Sequence, residues 1–149
     1  LLVKKNIGHS MKIFIFQLLI IQIISGSDIK YGDEQITAML KEYFLSNKSS
    51  PLLLGHQFYT DNDENIFQIE IKTETQNVNS ALLFGFKAIN DIANVAKRDF
   101  THSICVIHFN KITLPVIAKS NLKCSKGYFI HNNDNEAQWR KNCLSIQNY

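Results

Sequence analysis

The side chains with the most reactive chemistry are three cysteines, at positions 105, 124 and 143, and the histidines at 56, 102, 108 and 131. Cys105 with His56 or His131 as base would make a thiol nucleophile, because an adjacent imidazole can hold a thiol as its reactive thiolate. Nothing around these residues supplies a signature. The sequence has no glycine-flanked serine elbow, phosphate-cradling glycine loop or dinucleotide fingerprint. Cys105 sits in a strongly apolar stretch, where a free thiol packs as a small hydrophobe. The expectation is therefore no catalytic residue, with Cys105, His56 and His131 as the alternative.

His102, Cys105 and His108 recur at a spacing of three. On a helix they would share a face and could begin a zinc site; on a strand the two histidines face one way and the cysteine the other. The surrounding residues read as strand, so no metal site is expected. Asp61, Asp63 and Asn65 open like a calcium loop, but Ile66 and Lys72 occupy the places where that loop needs glycine and glutamate. A solvated turn is the better reading. Paired carboxylates occur only in turns and on wet strand faces, which leaves no glycosidase pair. No cofactor is expected.

Cys124 and Cys143 are the preferred disulfide, closing a loop of about 20 residues for roughly 3 kcal/mol in a chain-entropy treatment. Tyr128, Phe129 and Trp139 lie near that pair and form a candidate partner-binding patch, with His131 beside them. The alternative is that Trp139 anchors the terminal helix to the sheet. Asn47-Lys48-Ser49 fits the N-glycosylation acceptor pattern in a predicted loop, which matters where the source is eukaryotic.

The disulfide reading depends on where the chain goes. Lys4, Lys5 and Lys12 precede an apolar run over 13–24, followed by Ser25, Gly26 and Ser27. A basic start, a short apolar core and a small-residue exit are the parts of a secretory signal. The run is short of the roughly 20 apolar residues that span a bilayer. Secretion, or export to the periplasm, is expected, with an uncleaved membrane anchor as the alternative. Met11 is the expected start. Residues 1–27 are assigned to this extension and signal, and 28–149 to one small domain. The formal charge of +3 belongs to the signal: without its three lysines, 13 basic side chains face 13 acidic ones. A neutral domain gives no basis for a nucleic-acid partner.

The elements that must position these residues follow from periodicity. Ile36, Met39, Leu40, Tyr43 and Phe44 predict a helix over 33–45. Strands are predicted over 52–60 and 66–75; in the second, Phe67, Ile69, Ile71 and Thr73 alternate with Gln68, Glu70, Lys72 and Glu74. A long helix over 77–97 carries small residues, with Gly85 placed for close packing and either Phe84 or Phe86 partly exposed. Strands over 103–109 and 114–124 follow, the first apolar on both faces, with 128–130 extending the second or forming another strand. A short helix over 134–145 starts from Asn133 and Glu136. The order α-β-β-α-β-β-α predicts an α+β two-layer sandwich: a mostly antiparallel sheet of about four strands with helices on one face. The runner-up is a mixed sheet with a parallel crossover. The functional expectation is a small exported, non-catalytic domain that binds a protein or envelope component. The alternatives are a small hydrolase or thiol enzyme using Cys105 and a histidine, or a small-ligand carrier with a pocket under the long helix.

Overall fold

A computed structural model describes residues 29–147. The segment read as an export signal lies outside the described residues. Among those described, no helix is long and apolar enough to cross a membrane.

The chain is α+β. Helix α1 (Asp33–Ser46) leads into the hairpin β1 (Leu52–Asp61) and β2 (Glu64–Thr73). A 3-10 turn (Thr75–Asn77) starts α2 (Val78–Val95). Then come β3 (His102–Phe109), β4 (Val116–Asn121), α3 (Leu122–Phe129), α4 (Glu136–Asn142) and β5 (Leu144–Gln147). The five strands lie in the order β1-β2-β3-β4-β5. All neighbours are antiparallel except β2 and β3, which the α2 crossover makes parallel.

Local chemistry explains the elements. Asn62 and Asp63 take positive φ of 46° and 64° in the β1–β2 turn, a conformation that Asn and Asp tolerate and that matches the twist of a two-residue hairpin. The alternation predicted for β2 is observed: Phe67, Ile69 and Ile71 are fully buried, while Gln68, Glu70 and Lys72 face away. On α1, Ile36, Leu40 and Phe44 recur one turn apart on the buried face.

Helix α2 is the centre of the helical layer. A Cβ at Gly85 would lie 2.9 Å from Cys105 Sγ and 3.1 Å from Ile69 Cδ1. Glycine thus lets α2 sit directly on β2 and β3, which offsets its low helix propensity of about 1 kcal/mol against alanine. Phe86 is fully buried and packs edge-on against Trp139, whereas the half-buried Phe84 meets Tyr43 and Phe44. Tyr43 also donates to Asp91 at 3.2 Å, tying α1 to α2.

The C-terminal third departs from expectation. The strand predicted over 114–124 ends at Asn121, whose Oδ1 accepts from the Cys124 N–H at 3.0 Å and starts α3. Tyr128 and Phe129 are therefore helical, not a strand extension. Helix α4 is shorter than the predicted 134–145. Asn135, not Asn133, caps it, with Gln138 returning a bond to the Asn135 N–H. The chain then adds β5, so the sheet has five strands rather than about four, and the order gains a helix and a strand.

The disulfide Cys124–Cys143 joins α3 to the end of α4, with Cα atoms 5.6 Å apart. Beneath it runs a buried chain of hydroxyls. Trp139 Nε1 donates to Ser125 Oγ at 3.0 Å, Ser125 and Ser120 hydroxyls meet at 2.6 Å, and Ser120 donates to the Cys143 carbonyl at 3.0 Å. Because the Ser120 proton goes to that carbonyl, Ser125 must be the donor between the two serines. Each buried group is satisfied in one direction.

Candidate functional site: the open face of the sheet

All four described α-helices pack on one side of the sheet. The main core joins Ile36, Leu82, Phe86, Ile89, Leu122 and Trp139 from the helices to Phe67, Ile69, Ile71, Cys105, Ile107 and Ala118 from the strands. Ile104, Val106 and Ile117 alternate with those strand residues, lie outside that core and are only partly buried. They face the opposite side, which no described element covers.

The strand registers lay out this face as rows. Tyr59, Ile66, His102 and Asn121 form one row; Gln57, Gln68, Ile104, Lys119 and Ser145 the next. A third contains Glu70, Val106, Ile117 and Gln147, and a fourth Lys72 and His108. The centre is an aliphatic strip, Ile104, Val106 and Ile117. The periphery is polar and internally bonded.

Two networks hold that periphery. Tyr59 donates to Gln68 Oε1 at 2.9 Å, Gln68 Nε2 to Glu70 Oε1 at 3.4 Å, and His108 Nε2 meets Glu70 Oε2 at 3.2 Å. In the second, Lys119 reaches across β3 to donate to Glu64, and His102 Nε2 lies 3.6 Å from the other oxygen of the same carboxylate. The Lys119 hydrogen bond holds the Glu64 carboxyl below the usual carboxylate range, with the His102 charge assisting. Burial pushes the Tyr59 hydroxyl up, with the Asp61 carboxylate adding to it. Ile66 is 2% exposed although it belongs to this side. The side chains around it already shield an apolar residue from water.

The predicted pair His102 and His108 does share this face, with Cys105 on the other, as period-two alternation requires. Glu64, Gln68, Glu70 and Lys119 carry no motif that marks a site, although the alternation in β2 puts Gln68 and Glu70 on the wet face. Lys119 carries no local signal, because its partner lies 55 residues earlier.

The alternative catalytic residues do not form a reactive group. Cys105 is fully buried against Gly85, and burial pushes its thiol up to about 12, so it stays protonated at neutral pH. His56 is bonded to Thr37 at 3.0 Å on the helical side; burial lowers its pKa, with Lys41 adding to the effect. His131 is exposed in the connection between α3 and α4. Of the aromatic patch, Trp139 is 1% exposed and anchors α4, with the half-buried Tyr128 stacked on it and the half-buried Phe129 meeting it edge-on. Trp139 therefore offers no surface to a partner. Asp61 ends β1 and Asp63 lies in the hairpin turn, both exposed, and Asn65 is committed to Thr60 and Asp99. Among the described residues no cluster of three or more His, Cys, Asp or Glu side chains could hold a metal ion.

No protein-family model, curated protein or solved structure matches this chain.

Proposed function

We propose that this chain is a small exported, non-catalytic domain that binds a protein or envelope component through the open face of its sheet. The observation that carries the reading is the composition of that face. Ile104, Val106 and Ile117 give it an apolar centre, and Tyr59, Glu64, Gln68, Glu70, His102 and Lys119 give it a polar rim. Protein interfaces have this arrangement, in which desolvated aliphatic contact is surrounded by hydrogen-bonding groups. The mixed charges suit a protein surface better than a polyanion, which calls for a basic face.

Export is supported by two features. The basic, apolar and small-residue segments at the N-terminus have the order of a secretory signal. The Cys124–Cys143 disulfide belongs to an oxidising compartment. The burial of Cys105 speaks against thiol catalysis, and the direct seating of α2 on β3 speaks against a ligand pocket beneath that helix.

The test is saturable binding of the labelled, secreted protein to cells and extracellular material from its source. Val106→Lys should weaken binding while leaving the unfolding midpoint near that of the parent; Lys119→Glu should weaken binding too, with a modest drop in the midpoint because it exchanges the Glu64 ion pair for two like charges. Retention of full binding by both variants, or loss of function in Cys105→Ser with its fold intact, would overturn the reading.

A further inference from the structure

We infer that Asn47 is an N-glycan acceptor whose sugar covers the exposed leucines on either side of it, Leu45 at the end of α1 and Leu52 at the start of β1. The inference rests on the export part of the proposed function and is independent of the binding face. Asn47-Lys48-Ser49 is the single Asn-x-Ser/Thr triplet in the chain.

The structure gives this triplet the required access. Asn47 follows α1 in an extended conformation, φ −105° and ψ 113°. Asn47, Lys48 and Ser49 are all exposed. The Asn47 Oδ1 accepts from the Ser49 N–H at 3.0 Å, which turns the amide nitrogen away from the backbone. Among the described residues nothing accepts from that nitrogen. The turn itself is tied down: Ser50 N–H donates to the Asn47 carbonyl at 3.1 Å, and Ser50 Oγ to the Phe44 carbonyl at 2.6 Å. A bulky group on Asn47 therefore leaves the folded backbone bonds intact.

The surroundings suit a sugar. Leu45 and Leu52, 81% and 62% exposed, flank the triplet in the chain. A hydroxyl-rich groove of about 390 Å³ adjoins it, lined by Ser49, Ser50, Thr73, Asn77 and Ser80 among others. Carbohydrate presents both apolar ring faces and hydroxyl edges, so one substituent can meet both kinds of surface. In the transfer, the Asn47 Nδ2 bonds to C1 of an oligosaccharide carried on a polyprenyl diphosphate. The C1–O bond to the diphosphate breaks, the diphosphate leaves with the electron pair, and one amide proton passes to a base of the oligosaccharyl transferase.

Cell-free translation of the full chain with endoplasmic-reticulum microsomes tests this, because protease protection reads translocation and gel mobility reads glycosylation. A protected product with a mobility shift that endoglycosidase reverses is expected. Asn47→Gln and Ser49→Ala should each abolish the shift, and Ser49→Thr should keep it. A protected but unshifted product overturns the glycan site and leaves export standing. An unprotected product overturns export through the native leader. In that case the full chain behind a foreign signal sequence decides the acceptor: a shift lost in Asn47→Gln sustains the site, and no shift refutes it.

Discussion

Gly85→Ala isolates the contact on which the helical layer rests. The new Cβ would stand 2.9 Å from Cys105 Sγ and 3.1 Å from Ile69 Cδ1, both on fully buried residues of adjacent strands. Helix propensity favours the substitution by about 1 kcal/mol. Overpacking a filled core opposes it by about 1–3 kcal/mol. The expected net effect is a loss of roughly 1 kcal/mol. Cys105→Ala removes one buried sulfur and should destabilise by about 1 kcal/mol, as other small core truncations do. In the double variant the sulfur that crowds the new methyl is gone, so the two losses should not add. A coupling of about 1–2 kcal/mol is expected for residues in direct contact. Urea unfolding with the disulfide intact, comparing midpoints at constant slope, measures all three variants. Additivity within about 0.5 kcal/mol would refute the seating of α2 on β3. It would also reopen a role for Cys105 beyond packing.

Three further outcomes follow from the same structure. Thiol titration should find no reactive cysteine in the native protein, one after unfolding without reductant and three after reduction; breaking the disulfide should lower stability by about 3 kcal/mol. Ser125→Ala should leave the buried Trp139 indole N–H without its acceptor and lower stability by about 1–3 kcal/mol, and an unchanged urea midpoint would contradict the hydroxyl chain. The His56 pKa is depressed on folding by burial and Lys41, so its stabilising contribution is complete above the unfolded value of 6.5 and is lost as pH falls through the folded one. Urea midpoints for His56→Gln should therefore decline less than the parent's on acidification from neutral pH, and parallel declines would contradict the assignment.

The fold was legible where one residue pattern dominated. The alternation in β2 and the small-residue stripe of α2 each specify a single burial scheme, and the disulfide followed from the apolar setting of Cys105. The junction at Asn121 was not legible. Leu122 and Ser125 bury one helical face, but Leu114, Val116, Ala118, Ser120 and Leu122 also continue a period of two. The Asn121 cap and the disulfide decide between them, and both act through three-dimensional contacts. Strand β5 has four residues and pairs only with β4, too short for periodicity to mark. The candidate site was half legible. Ile104 and Val106 made β3 read as buried on both faces, and a single strand cannot tell whether a second layer covers it. The long reach from Lys119 to Glu64 depends on the strand order, which the sequence left open.

Site-directed photo-cross-linking tests the proposed binding face most directly. A photoreactive side chain placed singly at Val106 or Ile117 of the full chain, with exposed Glu42 on α1 as the control, is irradiated in whole-cell material and culture medium from the protein's source. The account predicts a discrete, saturable adduct from both open-face positions, competed by unlabelled protein and weakened by Lys119→Glu, and none from Glu42. Discrete adducts from Glu42 with none from Val106 or Ile117 would contradict it and place the partner on the helical layer.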